Sequence, residues 1–229
     1  MSFHELAFVA APYAAVVLAV VGTAYRFRYR QFTVSSLSSQ LLERSKLYWG
    51  SIPFHWGILI ILLGHLLALI IPASFTAWNS VPVRLYALEI TGFALGLWAL
   101  VGLIVLLIRR MGDERIRAVT TPMDLVVLGL LGAQVLTGLI VAVGYRFGSF
   151  WGPEVFTPYL RSLFVLDPRP ELLADLAIAI RLHAFLFFVF LAVFPFSRLV
   201  HIVTVPFQYI FRPWQRRIFV QRNRFPHTQ

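Results

Sequence analysis

With 229 residues, 59% of them hydrophobic and only 13% charged, the chain is far more apolar than a soluble domain of its size. Such a composition would leave a soluble fold with large sticky patches, whereas a bilayer accepts helices that are apolar on every side. The absence of cysteine excludes disulfides, thiolate zinc sites and iron–sulfur clusters held by this chain, and the +10 net charge falls in short clusters rather than on one face, which argues against nucleic acid.

The expected fold is all-α, an integral membrane bundle of five transmembrane helices. Five apolar stretches are long enough to cross a hydrocarbon core of about 30 Å, which takes roughly 20 helical residues. They lie near 6–24, 52–71, 84–108, 124–143 and 174–205, with a basic tail over 206–229. Before the first, His4 and Glu5 stand where a cleavable leader would carry basic residues, so no cleaved signal is expected. The second carries His55 and His65, flanked by Gly57 and Gly64. The third opens on Arg84, holds Glu89 and ends before Arg109 and Arg110. The fourth starts at Asp124. The fifth contains His183 and His201, with Pro195 between them as an expected kink.

Charge sets the orientation, because Lys and Arg accumulate on cytoplasmic loops. One side of the bundle collects fourteen of them: Arg26, Arg28, Arg30, Arg44 and Lys46 after the first span, Arg109, Arg110, Arg115 and Arg117 after the third, and five in the tail. The other side has only Arg84, Arg146, Arg161 and Arg169. The N-terminus is therefore expected outside and the C-terminus in the cytoplasm.

Four of six histidines fall inside the spans. An imidazole at membrane depth is costly, so such residues face the bundle interior and do something specific. Burial against a neighbouring carbonyl accounts for one histidine more readily than for four. Two on each of two helices, without cysteine and with few acids, suit bis-imidazole ligation of haem iron better than zinc. His183 and His201 are 18 residues apart, about 27 Å on one face of an ideal helix; His55 and His65 are 10 apart, about 15 Å in rise and roughly 80° around the axis. These separations require two sites. The two helices run in opposite directions, so depth pairs His55 with His201 and His65 with His183, the unequal rises being absorbed by tilt and by the kink at Pro195. Gly57 and Gly64 would let a flat macrocycle approach the backbone, and Arg181, Arg198, Arg109 and Arg110 are the cations near the membrane faces for haem propionates.

With these residues in view, the chain resembles the gamma subunit of respiratory nitrate reductase over nearly its whole length. The resemblance rests on Phe54-His55, Gly64-His65, Arg181-Leu182-His183, the run FPFSRLVHIVTVP from Phe194 to Pro206, the stretch from Ser38 to Leu42, and Arg117-Ala118 followed by Thr120-Thr121. It implies two b haems with the same histidine pairing, in the cytoplasmic (inner) membrane of a bacterium or archaeon. It also implies oxidation of quinol, either menaquinol or ubiquinol, beside the outer haem. Electrons then pass by the inner haem to an iron–sulfur beta subunit and a molybdenum-containing alpha subunit that reduces nitrate. The implied quinol site includes Gly64 and His65; where the family has a lysine after the external loop, this chain has Arg84, whose planar guanidinium is not equivalent to an ammonium.

Two rival functions remain at this stage. A dihaem cytochrome b of another quinone-linked complex, heterodisulfide-reductase-like or associated with sulfite reduction, would share all the haem chemistry. A proton or metal transporter would use the histidines as relays, but calls for acids at membrane depth, where the sequence offers only Glu89 and Asp124 near span ends.

Overall fold

A computed structural model describes residues 2–29 and 45–200. Every regular element among them is helical: α1 (Phe3–Tyr29), α2 (Ser45–Ile70), α3 (Pro72–Asn79), α4 (Pro82–Gly112), α5 (Glu114–Ala118), α6 (Pro122–Gly144), α7 (Gly148–Phe164) and α8 (Ile178–Val193). Five helices, α1, α2, α4, α6 and α8 with its following turn, are long and apolar enough to cross a membrane. His201 and the tail 206–229 lie outside the described residues.

Local chemistry places the helix starts. Proline stands in the first turn of α3, α4 and α6, where its missing N–H costs nothing. At α6 the Thr121 hydroxyl accepts from the Asp124 N–H while the Asp124 carboxylate accepts from the Thr121 N–H, a reciprocal cap readable in the string Thr-Pro-Met-Asp.

In the bundle, neighbours follow the order α2, α4, α6, α8, α1. Lipid tails are as apolar as leucine, so close approach of backbones has to replace the hydrophobic drive. Glycine permits it between α2 and α4. A Cβ added at Gly102 would stand 2.5 Å from the Phe54 nitrogen and 2.7 Å from the Gly50 carbonyl oxygen, and one at Gly57 would stand 2.8 Å from the Leu95 carbonyl oxygen. Gly57 therefore serves helix packing. Gly64, one heptad further along α2, has nothing within 4 Å of its Cβ direction.

One end of the bundle is capped. There the expected external loop between the fourth and fifth spans holds a 17-residue helix, α7, which lies against α3. Its Tyr159 is fully buried and donates to the Phe8 carbonyl of α1 (2.8 Å), and Thr157 donates to the Ala68 carbonyl of α2 (3.1 Å). Burial, reinforced by Tyr13, raises the Tyr159 hydroxyl pKa well above the ordinary tyrosine range and keeps it a donor. Pro153 removes the N–H that would bond the Ser149 carbonyl, and buried Asn79 supplies the replacement at 2.8 Å.

The fifth span departs from a continuous helix over 174–205. Residues 170–173 form a 3₁₀ turn, α8 begins at Ile178 and ends at Val193, and Phe194–Phe196 is again 3₁₀ before Ser197 turns extended. Pro195 lacks the N–H that would continue the ladder to Leu191. Arg26 of α1 reaches the broken end, donating to Pro195 O (2.6 Å) and Ser197 O (2.7 Å), and Gly22 lets α1 approach the Pro195 ring. The 27 Å separation assumed between His183 and His201 rested on unbroken helix, and that premise does not hold.

Gly102→Ala is expected to force α2 and α4 apart and cost about 1–3 kcal/mol, read as a lowered thermal midpoint of the purified protein. Gly129→Ala in α6, whose Cβ would meet nothing within 4 Å, serves as the control and should leave the midpoint unchanged or raise it.

Candidate functional site

Two imidazoles meet between α2 and α8. The rings of His65 and His183 have centroids 6.4 Å apart with an interplanar angle of 47°. Neither is brought against His55, which lies ten residues earlier on α2 beside Phe54.

Hydrogen bonding assigns the ring nitrogens. His65 Nδ1 lies 2.8 Å from the carbonyl oxygen of Ile61, one turn back on its own helix. A carbonyl only accepts, so Nδ1 carries the proton and Nε2 keeps its lone pair. His55 repeats the arrangement with the Ser51 carbonyl at 2.7 Å and the Ser51 hydroxyl at 3.1 Å. Both α2 histidines thus present Nε2 as a ligand nitrogen, the tethering usual for metal-bound imidazole. On the other side, His183 Nδ1 lies 3.1 Å from the Thr137 hydroxyl of α6, and Nε2 lies 3.5 Å from the Gln134 amide nitrogen, at the outer limit of a hydrogen bond.

These features fit a haem. An iron bonded to one nitrogen of each imidazole at about 2 Å holds the ring centroids roughly 6–6.5 Å apart, the spacing of His65 and His183. Arg181, two residues before His183, has a buried Nε without a hydrogen-bond partner, a cationic donor suited to a propionate. Gly64 leaves open space beside His65. Among the described residues no group of three or more His, Cys, Asp or Glu converges.

The opposite end is organised by Asp124. Its carboxylate, 8% exposed, pairs with Arg110 at the end of α4 (3.0 Å) and with Arg198 beyond α8 (3.0 Å). Arg110 also donates to Thr120 Oγ1 (3.4 Å) and Arg198 to the Val119 carbonyl (3.2 Å). Arg109 is 3% exposed within the last turns of α4. Arg84 lies in the first turn of α4 with its guanidinium 4.6 Å from the centre of the Trp78 ring, a cation–π contact, and its side chain is exposed.

Residues 4–220 match the family described as nitrate reductase gamma subunit. The chain belongs to that family. It is 31% identical to the nitrate reductase gamma chain of Bacillus subtilis over 211 residues, covering 89% of this chain and 92% of that one. It is 34% identical to the respiratory nitrate reductase 1 gamma chain of Escherichia coli over 214 residues, again 89% and 92%. A third relative, the nitrate reductase-like protein NarX of Mycobacterium tuberculosis, is 31% identical over 220 residues, and there this chain spans only 33% of the relative's length. As a gamma-family chain it is a multi-pass helical subunit of an oxidoreductase complex of nitrate respiration.

Three positions escape a reading by histidine and arginine alone: Gln134 and Thr137, and Gly138, whose added Cβ would stand 3.0 Å from His183 Cε1. Their signal was present, because Gln134 and Thr137 are the polar pair, three residues apart, in the otherwise apolar interior of α6. Asp124→Ala is expected to destabilise the protein by about 2–3 kcal/mol, since it strips two arginines of their counter-charge and removes a helix cap. In a double-mutant cycle on thermal stability, Asp124→Ala and Arg198→Ala should be non-additive.

Proposed function

We propose that this chain is the dihaem cytochrome b subunit of a nitrate reductase, oxidising quinol near the capped end of the bundle and delivering the electrons across the membrane to a soluble iron–sulfur beta subunit. The observation that carries it is the opposed His65 and His183 pair, spaced for one iron and contributed by two antiparallel helices. When bound, haem supplies the one-electron carrier that no side chain of this chain provides.

The chain's own residues position and bind. His65 and His183 hold one haem, and His55 with His201 the other; Arg181 answers a propionate at the first, and Arg109, Arg110 and Arg198 are the cations at the end where the second lies. Arg110 and Arg198 are pre-oriented for this by Asp124. Quinol binds at Gly64, His65 and Arg84, where the glycine leaves room for a ring against the α2 backbone and the guanidinium can donate to a quinone oxygen. Each quinol gives up two electrons and two protons. Nitrate takes up two electrons and two protons at the molybdenum-containing alpha subunit and leaves as nitrite and water. The capped end faces outward and the arginine-rich end the cytoplasm, with 206–229 as a basic tail, an orientation that the charge asymmetry supports. The family match favours nitrate as the acceptor over other quinone-linked complexes.

In the purified complex, His65→Ala and His183→Ala are expected to abolish the same low-spin haem signal in EPR and redox titration, while His55→Ala abolishes the other. Loss of different signals from the first pair, or a wild-type chain without b-type absorption in a reduced-minus-oxidised spectrum, overturns the proposal. Arg84→Ala should lower quinol-linked nitrate reduction about tenfold, the loss expected for one charge-assisted hydrogen bond; unchanged turnover removes Arg84 from the quinol site.

A further inference from the structure

The two histidines of the opposed pair are tethered differently, and the difference singles out a residue on a third helix. His65 Nδ1 is held by a backbone carbonyl of its own helix. His183 has no such bond, and its Nδ1 instead faces the hydroxyl of Thr137 on α6 at 3.1 Å.

The hydroxyl has one proton, and its destination decides the tautomer of His183. Thr137 Oγ1 lies 2.7 Å from the Ala133 carbonyl and 3.1 Å from the Gln134 carbonyl, both one turn back on α6. Carbonyls cannot donate, so the threonine proton is spent on this helix and Oγ1 faces His183 as an acceptor. His183 Nδ1 must then carry the hydrogen and Nε2 the lone pair. Thr137 is itself 9% exposed, and Gly138 leaves the ring room that a Cβ would take, 3.0 Å from His183 Cε1, so this edge of the imidazole lies close against α6.

We propose that Thr137 is the positioning residue of the α8 ligand, holding His183 in the tautomer and rotation in which Nε2 meets iron and giving its ligand nitrogen weaker electron donation than that of His65. This rests on the dihaem reading above. A hydroxyl that already donates to a carbonyl is a weaker acceptor than the carbonyl that holds His65, so the two axial ligands of one haem are inequivalent by construction. The basicity of an imidazole ligand rises with the strength of the acceptor at its other nitrogen.

Thr137→Val keeps shape and β-branching but removes the acceptor, and Thr137→Ser keeps the acceptor. In the purified complex, Thr137→Val is expected to raise the midpoint potential of the haem that depends on His65 and His183, to alter its low-spin EPR line, and to weaken its retention about 10–100-fold, the usual effect of losing a metal ligand's hydrogen-bond partner. Thr137→Ser should restore all three. The haem that depends on His55 reports in the same sample that the bundle is folded, and its potential should not move. A Thr137→Val protein whose first haem keeps the wild-type potential, EPR line and retention overturns this inference and leaves the dihaem reading standing. A wild-type complex without two b-type haems overturns both.

Discussion

A bilayer offers no water to satisfy polar groups, and that constraint organises many of the hydrogen bonds among the described residues. At several helix ends and prolines another segment supplies a partner. Arg26 bonds the carbonyls of Pro195 and Ser197 where α8 has ended, Asn79 answers the Ser149 carbonyl opposite Pro153, and Tyr159 and Thr157 bond backbone carbonyls of α1 and α2. The same rule governs the imidazoles. His55 and His65 each hand one proton to a carbonyl four residues earlier, so that a single nitrogen remains to be used.

Packing follows from the same solvent. Because lipid gives little hydrophobic reason for helices to associate, α2 and α4 lock through glycines whose missing side chains allow backbone contact. That row continues through α6 and α8 to α1. Its curvature sets α2 and α8, the first and fourth in the row, opposite one another at His65 and His183. Glycine thus has two roles on one helix: Gly50 and Gly57 close the α4 face, while Gly64, at the level of His65, keeps a space open.

The two ends of the bundle solve different problems. At one end α3 and α7 cover the helix termini and bury Tyr159 and Asn79 beneath them, which roofs the proposed quinol side. At the other, Asp124 gathers arginines from α4 and from the segment after α8 into one network and pins the start of α6 between them. A carboxylate almost withdrawn from solvent is tolerable there because two guanidiniums and the Thr121 N–H answer it.

Composition and periodicity alone determined the helical class, the five spans and the histidines, because a run of some 20 apolar residues has one stable conformation in lipid and an imidazole within it needs a reason. Strings such as Gly64-His65 and Arg181-Leu182-His183 carried the family likeness that the full-length match establishes. Only the tertiary structure decided the rest. That α7 is a helix depended on buried contacts from α1, α2 and α3, which local sequence does not encode. That α8 stops at Val193, short of the expected continuous helix, is accommodated by Arg26, 169 residues before Pro195, which bonds carbonyls of the broken end. The roles of Gln134, Thr137 and Asp124 depended on which helix faces α8, and that order is a property of packing between backbones rather than of any one segment.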